Sequence, residues 1–580
     1  MTPFAKQIWD LKYRFENKSG ISELTIDDTW WRVAEALASV ENPAEQARYR
    51  SHFFDAMRDF QVLPAGRILA VAGTDADQTM INTFVMDDFD GSVEGIARIA
   101  QEAARTMRMG GGIGYDFSKI SPVGTPLEGD KGTSSGPLAA MDVCNAVSAL
   151  LASSARRGAM MATMRCDHPD IRAFVRAKSD RTRFRNFNLS VMATDAFMQA
   201  VKDQAPWSLV WQGEVVETLP AQELWDLIMR STYGAAEPGV LFIDRINAQN
   251  PLNYMETISA TNSCAEQPLP ANGSAPLASI NLSRLVQAPF EAEARLDLSR
   301  LRRLAGVTVR MLDNVIDLTK YPTEAQAREA RARRRIGIGV TGAANALAMV
   351  GETYGSPSAA ARLEAWMQEV QHATTAASVA LAQEKGAFEG FSADAYCGST
   401  RCAALDPALQ DLVRKHGVRN ALTTSVAPNG SISLLAGNVS SGIEPTFALS
   451  YQRKMKLPGG EEVTETVEDY ALKLYREKVG PDAPLPRAFV TAMTLEPKDH
   501  VVMQAAVQRW VESSISKTVN CPASIEFEAF KNVYWQAYEA GCKGCTTYRP
   551  NDITGAVLSV REEAPVRVRS KREVKRASVA

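Results

Sequence analysis

ATNSCAEQPLPANGSAPLASINL, residues 260–282, decides how the rest of this chain is read. It sets Asn262, Cys264 and Glu266 at alternating positions. Side chains at i, i+2 and i+4 of an extended chain project to one side. A strand here therefore turns an amide, a thiol and a carboxylate toward one substrate. The competing reading makes Cys264 a small buried hydrophobe, the commoner fate of a lone cysteine.

Two further segments carry chemistry. In SVAPNGSISLLAGNVSSGIEPTF, residues 425–447, a strand runs into Pro428, Asn429, Gly430, Ser431, Ile432 and Ser433, then a helical turn. Backbone N–H groups at such a start, with two hydroxyls, can hold a phosphate. The pattern is not GxxxxGK[ST], and an ordinary loop is the alternative. In GGGIGYDFSKISPVGTPLEGDKGTSSGPLAAMDV, residues 110–143, Gly110 to Gly114 allow close approach of backbone. They do not form GxGxxG after a strand, and tight packing of one element on another explains them.

Outward from these segments, short apolar runs alternate with helical stretches. TFVMD (83–87), FNLSV (187–191), GVLFI (239–243), IGIGVTG (336–342) and ALTTSV (421–426) read as buried strands. Leu301, Leu304, Thr308, Met311, Leu312 and Val315 mark one amphipathic helix. This alternation predicts an α/β architecture around a buried sheet. Residues 1–75 read as a helical N-terminal region, with Thr25 and Asp28 as a capping box ahead of Trp30, Val33, Ala34 and Leu37. Residues 76–558 form the α/β body, and 559–580 a basic tail without apolar period, read as disordered.

Composition narrows the class. The chain has 580 residues, 45% apolar, with net charge −3. That charge does not point to nucleic acid or an anionic membrane as partner. No run long enough to span a bilayer occurs, and no secretion signal opens the chain. Eight cysteines at irregular spacing fit a reducing, cytoplasmic setting. Five scattered histidines offer no metal pattern, so no protein-built metal site is expected. Difficult chemistry would then need a bound organic or organometallic cofactor.

Taken together and in order, these segments resemble adenosylcobalamin-dependent (class II) ribonucleotide reductases, especially the bacterial form. The resemblance runs from IWDLKYRF at residue 8 to GCKGCTTYRPNDITGAVL at 541–558. It includes LPAGRILAVAGT (63–74), SSARRGAMMATMRCDHPDIRAFV (153–175), RNFNLSVMATDAFM (185–198), EPGVLFIDRIN (237–247), RRIGIGVTG (334–342) and SISKTVNCP (514–522).

The resemblance implies a ten-stranded α/β barrel of two half-barrels, with a central finger loop bearing Cys264 at its tip. It implies adenosylcobalamin as cofactor and Cys264 as the thiyl that takes the 3′-hydrogen of a ribonucleoside di- or triphosphate. The S–H and C–H bonds exchanged are of comparable strength, so the step is reversible. Glu266 matches the general base on the 3′-hydroxyl, and Asn262 the amide that orients the hydroxyls. The 428–433 loop would hold the phosphates, Ser135 and Gly136 would line the nucleotide pocket, and Asn188 lies in the segment contacting base and sugar. The region of Arg156, Arg157 and Asp167 lies near where many members bind an effector nucleotide. No residue is assigned to the cofactor. The DxHxxG cobalamin signature is missing, as expected where the cofactor keeps its own base. Oligomeric state stays open, a homodimer being the commonest soluble assembly.

The departures cluster at the chemistry. Where the family carries a reducing cysteine pair, this chain has Thr83 and Ala275. Neither can form half of a disulfide. The finger reads NSCAE instead of NPCGE, with Ser263 and Ala265, and Ala278 stands at a usual glycine. No cysteine follows Cys545, whereas long family members carry a cysteine-bearing tail. Cys542 and Cys545 form a CxxC read as structural, and Cys144, Cys166, Cys397, Cys402 and Cys521 as inert. Three readings follow: a reductase supplied by an external thiol or formate, a radical nucleotide enzyme catalysing a redox-neutral elimination or isomerisation, or a non-catalytic nucleotide- or cobalamin-binding homologue. Retention of Cys264, Glu266 and Asn262 argues against the last.

Overall fold

Threonine caps open the first helices. The computed structural model describes residues 1–17, 20, 22–126, 132–151, 159–180, 182–456 and 462–550, the side chains of 453–456, 462 and 463 excepted. Helix α1 (Pro3–Lys12) starts with Thr2 Oγ1 accepting from Ala5 N at 3.1 Å and a proline in its first turn. Helix α2 (Ile26–Ala38) carries the capping box expected from Thr25 and Asp28 and buries Trp30, Val33, Ala34 and Leu37. Trp9 Nε1 donates to Thr29 Oγ1 at 2.8 Å and fastens α1 to α2. Helix α3 (Gln46–Met57) follows and buries Phe53, Ala56 and Met57.

The body is mixed α/β. Its strands are β1 (Val62–Pro64), β2 (Thr83–Val85), β3 (Gly112–Asp116), β4 (Met160–Arg165), β5 (Phe187–Ala193), β6 (Gly239–Phe242), β7 (Ala260–Thr261), β8 (Pro268–Leu269), β9 (Ser274–Ala275), β10 (Leu277–Asn281), β11 (Gly337–Thr341), β12 (Thr518–Asn520) and β13 (Gly544–Tyr548). Eight form one sheet in the order β9-β2-β3-β4-β5-β6-β13-β12. Strands β2 to β6 run parallel to one another, and β9 and β13 join them antiparallel. A second sheet has the order β1-β10-β11, with β10 and β11 parallel. The parallel strands are apolar almost throughout, as strands covered on both faces must be. Two further hairpins, 206–220 and 450–468, lie outside these sheets.

Helices cover the sheets. Among them are α4 (Gly136–Leu151), α5 (Leu298–Leu318), α6 (Pro357–Lys385) and the short α7 (Gly430–Leu435). Helix α5 is the one predicted from periodicity, and Leu301, Leu304, Thr308, Met311, Leu312 and Val315 are all buried. It also anchors the N-terminal helices: Arg310 Nε donates to Glu41 Oε1 at 2.7 Å, and Asn314 Nδ2 to the same oxygen at 2.7 Å.

One reading is corrected. ALTTSV at 421–426 is not a regular strand. It is bridged at Thr424 to Ile338 and at Val426 to Ile515, and backbone hydrogen bonds tie it to 336–338 and 513–516 without completing a ladder on either side. In the Gly110–Gly114 run, Gly112 to Gly114 belong to β3. No helix among the described residues is long and apolar enough to cross a membrane. Residues 551–580, with the basic tail, lie outside the described residues, as do Arg156 and Arg157.

Candidate active site

Strands β7 and β8 form a small hairpin, Thr261 opposite Pro268 and Ala260 opposite Leu269. Its tip carries Asn262, Ser263, Cys264, Ala265 and Glu266. These residues are not extended, so the alternation argument failed in its geometry. Ala265 N donates to Asn262 O at 3.1 Å, and Ala265 takes φ +66°. A tight turn, not a strand face, gathers the amide, the thiol and the acid. Glycine adopts that φ freely, while an alanine Cβ is strained there.

The body grips the finger from several sides. Asn188 Nδ2 on β5 donates to Ser263 O at 2.8 Å, and Thr163 Oγ1 on β4 to Ser259 O at 3.0 Å. Glu266 O accepts from Ser425 Oγ at 2.8 Å and Ser514 N at 3.0 Å. A Cβ on Gly114 would lie 1.8 Å from Thr261 O, and one on Gly112 2.9 Å from Ser263 Oγ. The glycine run therefore makes room for the finger, as the packing explanation held.

Cys264 opens onto a cavity of about 940 Å³ that Asn262 and Glu266 also line. Burial and then the neighbouring Glu266 push the thiol up to about 12. It stays an S–H at neutral pH, the form needed for hydrogen-atom transfer and the opposite of an activated thiolate nucleophile. Glu266 is 3% exposed, and its Oε2 has no hydrogen-bond partner. Burial lifts its carboxyl to about 7, against a lowering hydrogen bond from Asn262. An acid poised near neutrality suits proton transfer in either direction.

The 428–433 loop lines the same cavity. Asn429 takes φ +57° and its Nδ2 donates to Ser279 Oγ at 2.8 Å, fixing the entry to α7. A Cβ on Gly430 would meet nothing within 4 Å, so the loop faces open space. Thr83 and Ala275 are direct partners across β2 and β9, with Thr83 Oγ1 donating to Ala275 O at 2.6 Å. The two substituted positions thus face each other, Thr83 on the cavity wall and Ala275 fully buried beside it.

Not every expected residue gathers here. Ser135 and Gly136 stand at the start of α4, and Asn188 holds the finger instead of lining the cavity. Asp167 pairs with Arg165 on the surface side. Cys542 and Cys545 are buried free thiols, and no metal-binding cluster occurs among the described residues. Missed from the sequence were Asn82, Thr518, Asn520 and Glu444 on the cavity wall. Glu444 Oε2 accepts from the buried Lys517 Nζ at 2.6 Å. A lysine between Ile515 and Val519 in SISKTVN was the available signal, since a buried lysine needs an acid partner.

The profile described as "Ribonucleotide reductase, barrel domain" matches residues 81–548, and "Ribonucleotide reductase, all-alpha domain" matches 1–77. The chain belongs to the ribonucleotide reductase family. It is 36% identical to the vitamin B12-dependent ribonucleoside-diphosphate reductase of Mycobacterium tuberculosis strain H37Rv, over 96% of this chain and 78% of that protein. It is 32% identical to the enzyme of the same name from Thermoplasma acidophilum, over 96% of this chain and 72% of that protein. A vitamin B12-dependent ribonucleotide reductase of Streptomyces coelicolor is 27% identical over 84% of this chain and 58% of that protein. In this reductase family setting, the finger bearing Cys264 and the cavity around it are the candidate active site.

Proposed function

We propose that this chain reduces ribonucleotides to 2′-deoxyribonucleotides in an adenosylcobalamin-dependent radical reaction carried by Cys264. The observation that carries this reading is a thiol at the tip of a clamped finger, facing one cavity with Asn262 and Glu266. Cys264 Sγ gives up its hydrogen atom and, as a thiyl, takes the 3′-hydrogen. Glu266 holds the 3′-hydroxyl proton, Asn262 orients the hydroxyls, and loss of the 2′-hydroxyl as water follows. The 428–433 loop seats the phosphates. The relatives named for ribonucleoside diphosphates support a diphosphate as substrate.

The cavity fits a large cofactor. Gly110, Gly111, Gly112 and Ala159 give it a wall with little side chain, and none of the five histidines lines it. That donor set suits a cobalamin that keeps its own base, and these residues together with Asn82 would hold it. Adenosylcobalamin, when bound, supplies the organic radical chemistry that starts the reaction.

We read the pairings as a ten-stranded barrel with a helical region at 1–75 and the body at 76–558. Strands β2 to β6 make one half. The other is β13, the 515–520 segment, the 422–426 segment, β11 and the 274–281 segment, linked by parallel pairs. Antiparallel seams at β9 with β2 and at β13 with β6 would close the ring. An exposed apolar strip on α4, including Val143 and Leu150, supports a homodimer. Eight free thiols support a reducing, cytoplasmic setting.

Thr83 and Ala275 leave net reduction to an external thiol or formate, or favour a redox-neutral elimination or isomerisation instead. Incubation of the protein with adenosylcobalamin, each ribonucleotide, and dithiothreitol or formate separates these. Catalytic deoxynucleotide formation is expected. A different nucleoside product with no reductant consumed would favour the redox-neutral reaction. No cobalt–carbon cleavage under any condition would leave only a binding role, for nucleotide or cobalamin.

A further inference from the structure

The cavity has an unbalanced charge for a nucleotide site. Its described lining includes Glu266, Glu444 and Asp469 but neither lysine nor arginine. Lys517 answers Glu444 from behind, and its side chain is fully buried. Asp469 is held by Asn345 Nδ2 at 2.7 Å and caps a helix through Leu472 N at 3.1 Å. Among the described residues, a substrate bearing several phosphate charges thus meets carboxylates and no lining cation.

Lys12 stands at the edge of this space. It is exposed, it ends α1, and its Nζ donates to Ser431 Oγ at 2.9 Å. The next residue, Tyr13, lines the cavity itself. The position is fixed by packing, because Phe4, Ile8 and Trp9 of α1 are buried. What marks the cavity as a ligand site is not the short α7 but the 3% exposed Glu266, which lines the same space and whose Oε2 has no hydrogen-bond partner. A phosphate seated near Ser431 lies within Coulomb range of the Lys12 ammonium whatever else that group touches.

We propose that Lys12, supplied by the N-terminal helical region, is a specificity-determining residue that reads the phosphate charge of the substrate. This rests on the reading of 428–433 as the phosphate loop. It gives the N-terminal region a part in substrate choice beyond covering the body.

The test is calorimetric binding to the full chain, comparing ribonucleoside diphosphates with nucleosides of all four bases. Wild type is expected to prefer the diphosphate. K12M should weaken diphosphate binding roughly 10- to 100-fold, the size of one charge-assisted hydrogen bond. Nucleoside binding should stay within about two-fold, K12R should retain the preference, and the wild-type advantage should shrink with added salt. K12Q repeats the reading if methionine disturbs α1. Unchanged diphosphate affinity in K12M and K12Q, or an equal loss for nucleosides, overturns the role of Lys12 alone. Equal affinity of wild type for diphosphate and nucleoside overturns the phosphate-loop reading itself.

Discussion

Glu41 and Glu266 are both almost fully buried, at 5% and 3% exposure, yet their surroundings push them in opposite directions. Glu41 joins the N-terminal helices to α5 and α6. Burial alone would raise its carboxyl, but hydrogen bonds from Arg310 and Asn314 and the charge of Lys385 hold it down at about 2. Glu266 has no cation beside it among the described residues, and burial lifts it to about 7. The first site is built to stay ionised and bind the structure together. The second keeps an acid with one unsatisfied oxygen next to Cys264, and in the proposed reading a substrate hydroxyl would complete it.

The largest effect that would sharpen this contrast is catalytic. Glu266→Gln should lower kcat/KM for deoxynucleotide formation roughly 10²- to 10⁴-fold, the range for loss of a general base. Glu41→Ala should instead cost about 1–3 kcal/mol in urea unfolding, because it removes the hydrogen bonds from Arg310 and Asn314 and leaves Arg310 paired with Glu384 alone. Its effect on kcat in the folded fraction should be small.

The pH dependence of stability gives a finer test. Between about 4.5 and about 7, folded Glu266 holds a proton that the unfolded chain has released. Stability therefore falls as pH rises through that window, and the cost is fully present above it. Relative to wild type, Glu266→Gln should gain up to about 3 kcal/mol above pH 7 and nothing below about pH 4.5. Glu41 has the reverse sign: its contribution is present above about 4.5 and is lost as pH falls toward about 2. Parallel urea titrations of Glu266→Gln and Glu41→Gln from about pH 2.5 to 8 would expose both slopes. Equal slopes would break the comparison. The smallest effect concerns the finger turn: Ala265→Gly should stabilise the fold by about 1 kcal/mol by relieving the positive φ, measured by urea unfolding.

Periodicity made much of the framework legible. FNLSV, GVLFI and IGIGVTG became strands and the 298–318 helix took its expected face, because burial on a fixed repeat writes itself into local sequence. ALTTSV has the same composition but makes isolated bridges, since ladder formation depends on neighbours remote in sequence. At the site, Asn262, Cys264 and Glu266 were legible as a set. Their convergence through a turn at Ala265 was not, because alanine carries no signal for positive φ. The Glu444–Lys517 pair spans more than seventy residues, and Lys12 reaches Ser431 across 419, so neither could be seen along the chain.

The thiol itself can be tested without regard to the missing reducing pair. Adenosylcobalamin tritiated at its 5′ carbon is incubated with the protein and a ribonucleoside diphosphate, and tritium appearing in water is counted. Washout by wild type that disappears in Cys264→Ser is the expected result. Undiminished washout in Cys264→Ser would contradict the assignment of Cys264 as the hydrogen carrier.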